Sequence, residues 1–431
     1  MLDNTGFNID SDLNLINSLT PPPLPSKILD FYSKEFPLIS QQIVTGSAVT
    51  TDKSIIFDLS SIEGSKLGDV TIKVPTLHRL SQKFPNALFL TDRFPIVSRA
   101  EIPAGSLVSF PYHNSNYIES AISALTEFLP DVLILCYDTR AIRELASWEK
   151  ALLFLKDEKG LKLPQIIVNF QDVSVLREPL PLQKSSPFTN RLLSSFALQS
   201  LSINNSEPLN SNSIVPKLFV KQEEIVKAKN YLKNNGFNPA KDKLLLIGDR
   251  GSYSGKEWPL IGDFVKYVLE NHVNWKIAFI DPLTEFDCGS FALNDSQGIV
   301  FSAKREGRAR SLELIPGFMW LADKFFGIDS GPGHLFSAIQ ASKNKFGGII
   351  TIFNGHNPQR WKPCGQNLLI FNRGNGEFGT FADYDWQEFE QNISPIGENV
   401  SNHFRADQDF ALENLSTDFV IAYIKRNNFL E

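Results

Sequence analysis

The chain has 431 residues but only three cysteines, Cys136, Cys288 and Cys364, and no CxxC pair. That scarcity excludes a disulfide framework, argues against a structural zinc site and favours a reducing compartment. No apolar run approaches the ~20 residues that a membrane helix requires. The N-terminus, MLDNTGFNIDSDLNL, is acidic and polar, so the basic start and apolar core of a secretory signal are missing. Basic surplus is missing too, and a formal charge of −6 makes no electrostatic case for nucleic acid. GxSxG, HExxH and Walker-type patterns are absent, which removes the commonest hydrolase and NTPase readings. The expectation is a cytoplasmic protein. Peripheral contact with the inner face of a membrane stays open, because one apolar patch would not show in such totals.

What is present reads as two α/β domains. A chain this long exceeds one comfortable core, and 42% hydrophobic with 21% charged residues is ordinary for a globular protein. SIIFDL, ALFLTD, DVLILCYD and LPQIIVNFQD are short apolar runs bounded by turn signals, as buried strands are. Val74, Leu77, Leu80 and Phe84 recur at helical spacing between the first two. Strand–helix–strand at this spacing predicts βαβ units on a parallel sheet. KLLLIGD, WKIAFID, GIVFSA, KFFGID and GGIITIFNG repeat the rhythm later. The helix QEEIVKAKNYLKNNG ends on Gly236, where a C-cap glycine belongs, and PLIGDFVKYVLENH is expected to start at Pro259. Pro-, Ser- and Asn-rich text near 203–216 marks a junction. The expected organisation is an extension over 1–50 with a helix in SKILDFYSKEF, Rossmann-like domains over 51–215 and 216–405, and a C-terminal helix over 406–431.

Three strand-to-helix junctions could carry chemistry. In GIDSGPGHLFSAI, a helix N-terminus would offer unpaired N–H groups and partial positive charge to phosphate oxygens. Glycine at Gly331 and Gly333 lets a ligand approach the backbone, His334 can donate, and Asp329 can accept from sugar hydroxyls. The same stretch is equally a tight turn with Ser330 as N-cap. RGSYSGKEWP, with Ser254 and Lys256, is a second anion candidate, though a solvated loop is the plainer reading of a lone lysine. EGSKLGDV places Asp69 where it could enter a cleft or cap a helix. Elsewhere DYD (383–385) matches a metal-binding pattern but sits in a loop-like tail. FNGHNPQRWKPCG could bring His356, Asn357 or Arg360 to the site. His78 reads as a surface residue, while His113, His272 and His403 have no supporting context.

Together these segments resemble glycosyltransferase family 9, the ADP-heptose:lipopolysaccharide heptosyltransferase family. The resemblance is carried in order by LGDVTIKVPTLHRLSQKFPNALFL, GKEWPLIGDF, SLELIPGFMWLADKFFGIDSGPGHL and ITIFNGHNPQRWKP. It implies a GT-B fold of two doubly wound domains facing a cleft, with the acceptor bound by the N-terminal domain and a nucleotide-diphosphate sugar by the C-terminal one. It implies inverting transfer to a glycan, lipid or protein hydroxyl with no cofactor and no metal. Asp69 matches the family's catalytic aspartate and Lys256 its donor-phosphate lysine. Asp329, Ser330, Gly331, Gly333 and His334 match its donor motif, and Glu285 in IDPLTEFD its ribose-binding acid. Phe336 stands where the family prefers a small residue, which marks it as the first place to look for an altered donor pocket. The other readings are a non-catalytic nucleotide-sugar-binding protein, against which the pairing of Asp69 with Lys256 speaks, and a GT-B-fold nucleotide-sugar epimerase.

Overall fold

The computed structural model describes residues 26–44, 49–50, 52–58, 67–91, 94–103, 106–110, 117–135, 142–168, 215–249, 257–280, 298–354, 363, 365, 367–372, 377–380 and 412–431. The chain divides into two compact units, one ending at Pro216 and the other running from Lys217 to Glu431.

In the first unit, α1 (Ser26–Glu35) and α2 (Pro37–Gln42) precede β1 (Ile55–Asp58). Next come α3 (Leu67–Lys83), β2 (Ala87–Thr91), α4 (Phe94–Val97) and β3 (Leu107–Ser109). The unit continues with α5 (Tyr117–Phe128), β4 (Val132–Leu135), α6 (Ile142–Lys159) and β5 (Gln165–Val168). The sheet order is β3-β2-β1-β4-β5, every pairing parallel, as the βαβ reading requires. Side-chain alternation along β1 divides the core between the two faces. Phe57 stacks on Phe89 with ring centroids 4.9 Å apart and lies against Phe84 at the end of α3. Ile56 and Asp58 turn to the other face, where Ile56 packs with α1, α2, α5 and α6.

Residues 26–44, within the segment expected as an extension, contribute to this core, and the helix expected in SKILDFYSKEF is α1. Tyr32, Phe36, Leu38 and Ile39 are buried among Leu133, Trp148 and Ile166. Both oxygens of Glu149 on α6 accept backbone N–H groups at the start of α2, from Leu38 at 2.6 Å and Ile39 at 2.8 Å. Beyond α2, Ile43 bridges Ile166 on the edge strand.

The second unit opens with α7 (Gln222–Asn234), closed by Gly236 at φ 87°. It continues with β6 (Lys243–Gly248), α8 (Ile261–Asn271), β7 (Trp275–Phe279), β8 (Ile299–Ser302) and α9 (Ala303–Leu321). Next are β9 (Lys324–Ile328), α10 (Gly331–Ser342), β10 (Ile349–Phe353), β11 (Asn367–Asn372) and β12 (Phe378–Thr380), and then α11 (Thr417–Arg426). The sheet order is β12-β11-β10-β9-β6-β7-β8, parallel except for the antiparallel β12. α8 starts at Ile261, two residues later than expected. The Ile261 N–H donates to Trp258 O at 3.2 Å, so Pro259 occupies a turn ahead of the helix. On this face Trp258 and Trp275 donate their indole N–H groups to Leu415 O and Leu430 O, pinning the C-terminal segment.

Candidate functional site

In an open α/β sheet, ligands bind beyond the carboxyl ends of the strands where the strand order reverses. In the second unit that point lies between β6 and β9, since β7 and β8 extend one way and β10 to β12 the other. Two of the three candidate junctions flank it. Asp249 leads from β6 into 250–256, so Ser254 and Lys256 lie outside the described residues, as does Glu285 beyond β7. The other junction is fully described. Asp329 follows β9 and is buried at 4% exposure, and its N–H donates to Ile352 O at 2.8 Å. The structure thereby brings Asp329, Ser330, Gly331, Gly333 and His334 together in one turn, with His334 buried as well.

The capped-turn alternative turns on Ser330. It holds the N-cap position with extended backbone, φ −159° and ψ 168°, yet its side chain caps nothing. Its hydroxyl donates backwards to Ile328 O at 3.0 Å. The positive end of α10 therefore has no serine oxygen across it.

Glycines around this turn also have a packing role. A Cβ on Gly333 would meet the Phe325 ring at 3.4 Å and Pro363 at 3.5 Å, so this position faces protein. A Cβ on Gly248 would lie 3.0 Å from the same ring and 3.8 Å from Pro332 Cβ, and one on Gly327 only 2.7 Å from Gly248 O. Gly248 and Gly327 make room for the Phe325 ring between the strand ends and the first turn of α10. Phe336 is likewise core. It is fully buried and stacks on Phe325, so it packs beneath the helix instead of reshaping a pocket at its start.

Sequence reasoning passed over two buried asparagines at neighbouring strand ends. Asn354 follows β10 and Asn372 ends β11, with Asn372 Nδ2 3.5 Å from Asn354 Oδ1. An amide at the close of an apolar strand was the available signal.

In the first unit the strand order reverses between β1 and β4. Asp58 ends β1 there and is fully buried. Its Oδ2 accepts Tyr117 Oη–H at 3.0 Å and Trp148 Nε1–H at 2.6 Å. This carboxylate too was missed, although an acid closing SIIFD was legible. Asp69 falls in the first turn of α3, behind the buried Gly68, and its side chain lies outside the described residues. So do His113, His356, Asn357, Arg360, the DYD stretch and His403. His78 is partly exposed on α3, with Nε2 2.8 Å from Gln82 Nε2. Among the described residues no cluster of His, Cys, Asp or Glu could hold a metal ion, and no helix is long and apolar enough to cross a membrane.

Solved structures share this arrangement. A glycosyl transferase family 9 protein from Veillonella parvula matches 89% of this chain and 98% of its own, with TM-score 0.57 and 14% identity. The E. coli ADP-heptose lipopolysaccharide heptosyltransferase II matches 80% of this chain and 98% of its own, with TM-score 0.51 and 12% identity. The fold is GT-B. No family profile and no curated protein matches the sequence, so the likeness is one of fold.

Proposed function

We propose that the protein is an inverting, metal-independent glycosyltransferase. On this reading it moves a heptose or other hexose-type sugar from a nucleotide-diphosphate donor to a hydroxyl of a glycan, lipid or protein. The observation that carries the reading is the start of α10 at the switch point of the second sheet, where the Ser330 side chain makes no cap and buried Asp329 and His334 stand beside it. Backbone N–H groups at a helix start suit a diphosphate, and a buried carboxylate suits sugar hydroxyls. The family 9 motifs and the GT-B fold agree with it.

The first unit then binds the acceptor and the second the donor. The acceptor oxygen attacks the anomeric carbon while the bond from that carbon to the diphosphate oxygen breaks, and Asp69 takes the hydroxyl proton. Lys256, the first amides of α10 and His334 stabilise the departing nucleotide diphosphate, while Ser254 adds a hydroxyl contact and Glu285 holds the ribose. Donors preorganised toward developing charge are each worth about 3–4 kcal/mol in rate.

The test is a nucleotide-sugar panel screened for thermal stabilisation, followed by transfer and hydrolysis assays with the stabilising donor. Asp69→Asn should keep donor binding but lose turnover by orders of magnitude, and Lys256→Ala should weaken donor affinity measured by calorimetry. Unchanged transfer by Asp69→Asn would remove it as the base, and epimerised donor without transfer would move the protein to another reaction class.

A further inference from the structure

The amino ends of the parallel strands in the second unit lie opposite the candidate donor site, and they carry a strip of lysines. Following the sheet from β10 through β9 and β6 to β7, it runs Phe346, Lys345, Lys343, Lys324, Lys243, Val273. Backbone bonds tie the strip together: Phe325 N–H to Gly348 O at 2.8 Å, Asp323 N–H to Leu244 O at 3.0 Å and Lys243 N–H to Asn274 O at 2.8 Å.

Three of the four lysines lie against aromatic rings. Lys243 Nζ is 5.5 Å from the centroid of Trp275, Lys324 Nζ 5.2 Å from Phe429 and Lys343 Nζ 5.1 Å from Trp320. Lys343 also donates to Trp320 O. Burial, and then repulsion from a lysine neighbour, hold Lys324 and Lys343 below the ordinary lysine range. The acids among them are Asp323, whose Oδ2 accepts the Leu244 N–H at 2.9 Å, and Asp242 beside Lys243, whose Oδ2 accepts the Asn238 N–H at 2.6 Å. Glu431 is the acid at the far end, near His272. Large apolar side chains stand exposed at both ends of the strip, Phe346 at 48% and Val273 at 78%.

We propose that this strip seats the second unit on an anionic lipid surface. Half-buried lysine ammonium groups held over aromatic rings, with the exposed Lys345 and apolar side chains beside them, match the chemistry of the headgroup boundary. A chain of net charge −6 that gathers lysines on one edge has the charge pattern to choose anionic lipid over neutral. The exposed Phe346 and Val273 favour a bilayer over a free phosphate ion or an acidic protein. This inference does not depend on the proposed transferase reaction.

Vesicle flotation of the full chain tests it. Binding is expected to vesicles of phosphatidylcholine mixed equally with phosphatidylglycerol, not to phosphatidylcholine alone, and should fade in high salt. Lys345→Glu combined with Phe346→Ser changes two exposed side chains and should lower binding about tenfold or more. Lys150→Glu, the same charge change in the first unit, should leave it unaltered. Circular dichroism of each variant establishes that it is folded. Failure to float with anionic vesicles, equal binding to neutral ones, or equal loss in Lys150→Glu would each overturn the proposal. So would full suppression of flotation by millimolar inorganic phosphate at constant ionic strength, which would make the strip a free-anion site.

Discussion

The ring of Phe336 on α10 stacks on that of Phe325 on β9, centroids 5.5 Å apart and planes 27° from parallel. This contact presses the first turn of the helix onto the strand ends, and Gly248 and Gly327 leave the room that Phe325 needs, while Gly333 meets it at ordinary contact distance. What resembles a ligand cradle in the sequence is in part a packing device that aims the helix.

Those glycines should therefore differ sharply on substitution. Gly327→Ala puts a methyl group 2.7 Å from a backbone oxygen and 2.8 Å from the Phe325 ring, an overpacking that should cost about 1–3 kcal/mol. Gly333→Ala meets only ordinary contacts at 3.4 and 3.5 Å and should stay within about 1 kcal/mol of the parent. Urea unfolding of the two variants checks the ordering.

In the first unit Asp58 holds the start of α5 to the middle of α6 through Tyr117 and Trp148. Asp58→Ala would leave two buried donors facing a void and should destabilise by about 2–5 kcal/mol. Tyr117→Phe removes only one donor and should cost about 1 kcal/mol. A loss in Asp58→Ala no larger than in Tyr117→Phe would show that the carboxylate is not the hub of this cluster.

Glu149 acts on a segment far away in sequence. Its two oxygens satisfy the N–H groups of Leu38 and Ile39, a cap supplied by another helix. Glu149→Ala should cost about 1–2 kcal/mol, and the loss should be local. Hydrogen exchange is expected to speed up across 26–42 while β4 and β5 remain protected. Uniform loss of protection would mean that the segment unfolds only with the whole unit.

Most strands were legible because a parallel sheet buried on both faces demands short runs such as VLIL, QIIV and KLLLIG. The role of Phe336 was not, because every residue of α10 from Pro332 to Ala341 is buried. Such a helix shows no polar face from which direction could be inferred. In the N-terminal segment the helix in SKILDFYSKEF was legible but its packing was not. Tyr32, Phe36, Leu38 and Ile39 are buried in its described part, set among polar residues and preceded in sequence by PPPLP. What holds them down is Glu149, more than a hundred residues away. Β3 was passed over because only Leu107 of its three residues is buried. At the site, the acid, serine, glycines and histidine of GIDSGPGH could be read as a unit, but the direction of the Ser330 hydroxyl could not.

Lys343 supplies a prediction in pH. Burial lowers it from the ordinary 10.5 to about 8, with Lys345 adding repulsion and Asp323 opposing. The folded state therefore prefers the neutral amine more than the unfolded chain does, and between those values the unfolded state binds more protons. Stability must then rise with pH across that window through this group. The gain is complete above 10.5 and lost as pH falls toward 8. Because the side chain is only half-buried, solvent screening keeps the effect modest. Lys343→Met removes the titration while keeping the stem beside Trp320. The difference in urea midpoint between parent and variant should change between pH 8 and pH 10, in favour of the parent at the higher pH. A difference that stays constant across the window would mean that Lys343 titrates as an ordinary exposed lysine.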